Sequence, residues 1–171
     1  MAEIDWARFQ SFYGMTDADL EKVKRSPKMV KIIRAGPRIV RTRLACEVVS
    51  AQYCSLGLKP GQRYFISCHG HIMADQCTAQ LCAYLIAPLV RMIRVIHDRI
   101  CEGLGPNGVV WDPVRCLDPG LDCGGLGQVG MRVWVEEISM PQKSWLDFQV
   151  PYARAWQLKV ARSAGKELGI V

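Results

Sequence analysis

The amino-acid sequence predicts an α+β fold: a small antiparallel sheet packed on one long central helix, with helical N- and C-terminal extensions. Three observations carry this expectation. Apolar and polar residues alternate around 40–48 and again over 129–135, which is the period of half-buried strands. Between them, apolar residues of segment 76–102 recur at helical spacing. Trp6, Phe9, Phe12 and Tyr13 fall near helical spacing at one end, and Pro151 suits the first turn of a helix at the other.

Residues 5–13 read as a short helix that docks its aromatics on a core or a partner. Thr16 is a helix cap with Asp19 three residues on, and that helix ends near Arg25 because Pro27 disfavours helix at Ser26. A further helical piece, 28–34, is expected to stop at Gly36-Pro37. From Arg38 the period becomes two, with Val40, Thr42, Leu44, Cys46 and Val48 on one face. Lys59-Pro-Gly-Gln is a tight turn, and a second strand covers 63–68. Asp75 caps a helix over 76–102 that buries Leu81, Leu85, Leu89, Met92, Ile96 and Ile100. Its second apolar face (Ala83, Ile86, Val90, Ile93, Val95) makes it central or shared with a partner, Pro88 should kink it, and Gly103 and Gly105 end it. Short strands are expected over 114–116 and 129–138, and a C-terminal helix over 152–168. The chain thus divides into a helical basic N-terminal arm (1–37), an α+β core (38–138) and a linker with a C-terminal helix (139–171), forming one domain overall.

Half of the 171 residues are hydrophobic and 22% are charged, a composition that fills a core and argues against a disordered chain. The N-terminus has no basic start followed by an apolar run, and segment 81–100 carries Arg91, Arg94, His97, Asp98 and Arg99, so neither a secretory signal nor a membrane span is expected. A cytoplasmic protein follows, in which eight cysteines serve as thiols or metal ligands rather than as a disulfide frame.

Net charge is +6, and nine basic residues without an acidic one lie between Lys22 and Arg43. Such a stretch suits nucleic acid, anionic lipid or an acidic protein surface. No aromatic platform or helix-turn-helix pattern accompanies it, so nucleic acid ranks low among its partners.

Cys68, His69, His71 and Cys77 fall within ten residues, and Cys116 and Cys123 return on a separate loop. Thiolate and imidazole are the ligands that borderline-soft metals prefer, and four of them close a tetrahedral site. These six are the candidate ligands, for zinc or iron, although the spacing lacks a Cys-x-x-Cys repeat. Cys is also among the most buried residue types, and Cys46, Cys54, Cys82 and Cys101 read as packing residues. Cys77, in the first turn after an Asp75 cap, would be thiolate-prone, with His69 or His71 as base or ligand and Asp75 or Asp118 as orienting carboxylate. His97 reads as a surface or capping residue, and Gly124-Gly-Leu-Gly lacks the Lys-Ser/Thr and the context of a phosphate loop.

A strand with a lone Cys, the run Gly-Leu-Lys-Pro-Gly-Gln-Arg-Tyr-Phe (57–65), a Cys opening an apolar helix with a mid-helix Pro (77–88), Cys-x-Asp-Pro-Gly (116–120) and a Val-rich strand follow one another. This order resembles a family of short uncharacterised prokaryotic proteins, often from anaerobes, with one Cys at a helix start and another in a Cys-Pro-Asp-like turn. The resemblance spans about residues 40 to 138, and Leu117 stands where the family has Pro. It implies that Cys77 and Cys116 act as a pair, and it brings no known reaction.

The expected function is a zinc- or iron-binding accessory or structural subunit of a larger enzyme complex, placed by the resemblance in anaerobic metabolism. Its partner would be another protein or a second copy of the chain, and no membrane. A stand-alone thiol- or metal-dependent enzyme using Cys77 and Cys116 is the alternative. A nucleic-acid-binding module using Lys22–Arg43 is the second.

Overall fold

The computed structural model describes residues 3–109 and 113–138. The expected C-terminal helix over 152–168 lies outside the described residues. The chain divides into two compact units, with one boundary after Val30. In the first, α1 (Trp6–Tyr13) starts at Asp5, whose carboxylate accepts the Arg8 N–H, and ends at Gly14 in the left-handed conformation. α2 (Asp17–Arg25) starts at Thr16, whose hydroxyl oxygen accepts the Asp19 N–H, as its spacing predicts. Phe9 packs against the rings of Trp6 and Tyr13.

α3 (Pro27–Val40) passes straight through Gly36-Pro37, where a stop is expected. The buried residues Ile33, Gly36, Ile39 and Val40 lie on both sides of Pro37, so packing on one continuous stripe outweighs the roughly 3 kcal/mol that an internal proline costs. The strand therefore begins two residues after Val40. Fully buried Thr42 links the two elements by donating its hydroxyl to the Arg38 carbonyl at 2.7 Å.

The second unit holds a four-stranded antiparallel sheet of order β2-β1-β4-β3: β1 (Thr42–Gln52), β2 (Arg63–Ser67), β3 (Pro113–Arg115) and β4 (Gln128–Glu137). The predicted turn at 59–62 joins β1 to β2, closed by the Gln62 N–H to the Lys59 carbonyl, with Gly61 at φ +89°. A register shift between Val48 and Ser50 leaves Val49 half exposed. The inner face carries Leu44, Cys46, Val48, Tyr64, Ile66, Val129, Met131, Val133 and Val135, all packed in one core. The outer face runs in rows across β2, β1 and β4: Arg63–Glu47–Arg132, Phe65–Ala45–Trp134 and Ser67–Arg43–Glu136. Arg43 covers Phe65 at 4.3 Å and pairs with Glu136 at 2.6 Å.

α4 (Ala83–Cys101) completes that core with Leu85, Leu89, Ile93, Ile96 and Ile100. It is the longest helix among the described residues, and Pro88 lies inside it. The expected start near Gln76 is wrong by seven residues, and the N-cap is Cys82 rather than Asp75. Residues 71–78 instead run along the free edge of β2. They supply His71 O to Ser67 N–H, the Cys77 sulfur to Phe65 N–H and the Thr78 hydroxyl to Arg63 N–H. Met73 N–H and Thr78 N–H donate to the Phe65 and Arg63 carbonyls. A helix there would leave those edge groups unpaired. With the later start, Leu81 stands exposed and Ile93, not Met92, fills the core position. Val90 and Val95 of the second apolar face are exposed.

Leu89 is 0% exposed and Val95 44%. Leu89→Ala is expected to cost about 2–5 kcal/mol through lost burial and a residual cavity. Val95→Ala should stay within about 0.5 kcal/mol. Urea unfolding of both variants, followed by circular dichroism, checks the difference.

Candidate functional site

The six candidate ligands occupy separate places. Cys68, directly after β2, is fully buried in the core, and its N–H donates to the Thr42 carbonyl. Burial pushes its thiol up to about 12. His69 and His71 flank Gly70 at φ +85° in a tight turn rather than lying on an extended loop, and both are exposed. The protein packed around His69 costs its charged form hydration, and His97 adds repulsion, so its pKa falls below the ordinary histidine value. Cys77 is held at the sheet edge, its sulfur accepting Phe65 N–H at 3.4 Å and donating to the Met73 carbonyl at 3.3 Å. Cys116 follows β3, and Cys123 is exposed at the end of a 3-10 turn (Leu121–Cys123). Among the described residues, no group of three or more His, Cys, Asp or Glu side chains is placed to hold a metal ion. His97 is half-buried, with Nε2 on the Cys68 carbonyl, not a surface residue.

The structure gathers a different set. One cavity of about 50 Å³ is lined by Cys54, Cys82 and Cys116, with Asp118 beside them. The three cysteines come from three places: the turn after β1, the N-cap of α4 and the end of β3. Cys54 and Cys82, assigned by sequence to packing, thus belong with Cys116, whereas Cys77, its expected partner, is not among the lining residues. The cysteine that opens the helix is Cys82. The buried Tyr64 also has Cys82 and Cys54 as neighbours. Burial first, then the charges that Cys82, Cys77, Cys54 and Cys46 would carry, push its phenol up to about 12, and its hydroxyl donates to the Gln80 carbonyl.

Local sequence explains the convergence. Tyr53 adopts φ +49° and turns the chain out of β1, so that Cys54 follows a sharp bend. Gly127 then packs directly on that bend: a Cβ there would stand 2.7 Å from the Tyr53 carbonyl oxygen. The Gly-rich loop wraps Asp118, whose Oδ1 accepts the Gly120 and Leu126 N–H groups and whose Oδ2 accepts the Gly127 N–H. The loop thus cradles an anion, and that anion is its own aspartate, so Asp118 orients no imidazole. Cys116 Sγ accepts the Val129 N–H at 3.2 Å, and the Cys116 N–H donates to the Val129 carbonyl. Leu117 N–H donates to the Tyr84 carbonyl, tying the loop to the first turn of α4.

Five of the nine basic residues between Lys22 and Arg43 meet carboxylates: Lys22 with Asp19, Lys24 with Glu21, Lys31 with Glu102, Arg38 with Glu137 and Arg43 with Glu136. Among the described residues, no helix is long and apolar enough to cross a membrane.

Comparison with family models, curated proteins and solved structures found no match to this chain.

The backbone N–H groups of Gly120 and Gly127, and then that of Leu126, hold Asp118 below the usual carboxylate range, against a smaller opposing effect of burial. A carboxylate lowered on folding stabilises the loop fully above its unfolded pKa, and that contribution is lost as pH falls through the lower folded value. The amide resonances of Gly120, Leu126 and Gly127 should therefore titrate together below the ordinary value of 3.8, and Asp118→Asn should abolish that titration in an NMR series.

Cys46 and Cys68 are both raised to about 12 by burial, in Cys46 with a smaller push from Cys77. At pH 8 only about one in 10⁴ of such thiols is ionised. Under native iodoacetamide treatment both should stay unmodified while Cys123 alkylates, and denaturant should release both. Peptide mass spectrometry reads the outcome.

Proposed function

We propose that the protein works through thiol chemistry at the pocket of Cys54, Cys82 and Cys116. One observation carries this reading: three cysteines from distant segments line a single cavity, while the fold binds other thiols elsewhere. Cys46 and Cys68 are buried out of reach, and Cys77 lies at the edge of β2, outside the cavity lining. Cys82 sits at the amino end of α4 and makes no capping hydrogen bond through its side chain. Negative charge is favoured at that end of a helix, which suits the attacking member of a thiol site. Cys116 keeps an N–H donor on its sulfur, a contact that a developing thiolate strengthens. All eight cysteines are free, which fits a reducing compartment and supports a cytoplasmic location.

The zinc- or iron-bearing accessory subunit ranks second, because the described ligand side chains do not converge to metal-holding distance. A partner chain or a second copy would have to complete such a site.

Elemental analysis of the purified chain, followed by timed native alkylation with iodoacetamide, separates the two readings. Thiol chemistry predicts less than a tenth of an equivalent of zinc or iron. It also predicts that at least one of Cys54, Cys82 and Cys116 alkylates about tenfold faster than N-acetylcysteine. Pocket cysteines as inert as Cys46 would overturn the reading. So would a stoichiometric metal whose removal is needed before they react.

A further inference from the structure

We infer that the pocket's substrate is a small organic disulfide that carries no negative charge, attacked by Cys82 and resolved by a second pocket thiol. This deepens the thiol reading and rests on it. The chemistry of the lining selects the substrate. Among the described residues no lysine, arginine or histidine lines the cavity, so none of them pairs there with a carboxylate or a phosphate. Asp118, the carboxylate among the described lining residues, has three backbone donors and keeps a negative charge that disfavours anions and does not exclude a cation.

The mouth points the same way. Tyr53, Tyr84 and Leu126 line the cavity and are 61%, 64% and 61% exposed, with Leu56 beside them at 42%. Large apolar side chains left in water around a concave site mark a binding surface for apolar matter. The cavity itself holds only a few heavy atoms. An apolar mouth, a wall without a described cationic side chain and three cysteines fit a short R–S–S–R molecule whose sulfurs reach the thiols while its R groups contact the rim.

The steps balance. The Cys82 thiol gives up its proton and its sulfur attacks one sulfur of R–S–S–R. The S–S bond breaks, a Cys82–S–S–R bond forms, and the departing thiolate takes up a proton as RSH. Cys54 or Cys116 then attacks the Cys82 sulfur, an internal disulfide forms, and the second RSH leaves. One disulfide is reduced by two electrons, and two protein thiols are oxidised.

The test uses the reduced full chain with three probes: bis(2-hydroxyethyl) disulfide (uncharged), glutathione disulfide (anionic) and cystamine (cationic). Rates are read by intact-protein mass spectrometry and divided by those of N-acetylcysteine with the same probe. The expected result is a normalised rate at least tenfold higher for the uncharged and the cationic probe than for glutathione disulfide. The product should be two mass units lighter than the reduced chain, with the new disulfide mapping to Cys82 and either Cys54 or Cys116. Cys82→Ser should lose the internal disulfide. Serine is a favoured N-cap, so this variant should keep the helix and its circular dichroism. Cys101→Ser, at the other end of α4, should react as the parent does.

Glutathione disulfide reacting as fast as the other two probes, an adduct confined to Cys123, or a stable mixed disulfide that never resolves would each overturn the inference. The underlying thiol reading fails separately, through the iodoacetamide result. Pocket cysteines that alkylate fast but show no preference among the disulfides reject the substrate class alone.

Discussion

The outward N–H and C=O groups of β2 must find partners, because β2 is the edge strand next to β1 and a bare edge invites pairing with another chain. Residues 71–78 meet this demand with a mixture of main chain and side chain. His71 offers its carbonyl, Thr78 its hydroxyl and N–H, Met73 its N–H, and Cys77 its sulfur. All three outward N–H groups of β2, those of Arg63, Phe65 and Ser67, are satisfied in this way. The segment so occupied cannot be helical. α4 is thereby delayed to Ala83, and Cys82, rather than Cys77, arrives at its amino end. The location of the candidate site follows from the hydrogen-bond needs of a strand whose own outer face lies on Phe65 and Arg63.

A second constraint closes the pocket from the other side. Asp118 is short, ionised and tied to three backbone N–H groups, which fixes the path of 116–127 without a regular element longer than one 3-10 turn. Only glycine serves at two of the bends. A Cβ on Gly125 would stand 2.1 Å from Asp118 Oδ1, and one on Gly127 would meet the Tyr53 backbone. The Gly-rich run therefore trades conformational freedom for close approach. The same turn that seats Asp118 sets Cys116 against Val129 and brings Leu126 and Gly127 to the Cys54 side.

Much of the fold is legible in the residues. The period-two pattern of Val129, Met131, Val133 and Val135 places β4 within a residue at each end, and Thr16 and Asp19 place the start of α2. These features depend on neighbours in sequence. The errors occur where a distant partner decides. Pro37 stays in α3 because Ile39 and Val40 find a core beyond it. The apolar residues from Leu81 onward look continuous with 76–80, and nothing local reveals that Thr78 belongs to Arg63. The candidate site shares this fate. Cys116 was visible from its turn, whereas Cys54 and Cys82 resemble packing residues until the sheet and α4 bring them together. Pro88 lies six residues after Cys82, beyond the first helical turn, so it does not mark the cap, and Asp75 looks the stronger candidate.

The eight cysteines illustrate how environment sorts one residue type into different chemistries. At Cys46 and Cys68 burial disfavours the thiolate so strongly that the sulfur behaves as a small apolar group. At Cys101 burial, reinforced by Asp98, pushes the thiol the same way. At Cys77 the sulfur substitutes for a backbone acceptor at the sheet edge, outside the cavity lining. Cys123 is exposed and outside the cavity lining. What separates Cys54, Cys82 and Cys116 is the combination of partial burial with a shared opening: each packs against the core and is among the residues lining the cavity. Packing alone would favour filling that space, since an empty volume forfeits dispersion contacts and a leucine in place of any one thiol would recover them. Three cysteines around a small hollow are poor packing and suit recognition of something soft, and the apolar rim of Tyr53, Tyr84 and Leu126 extends that preference outward.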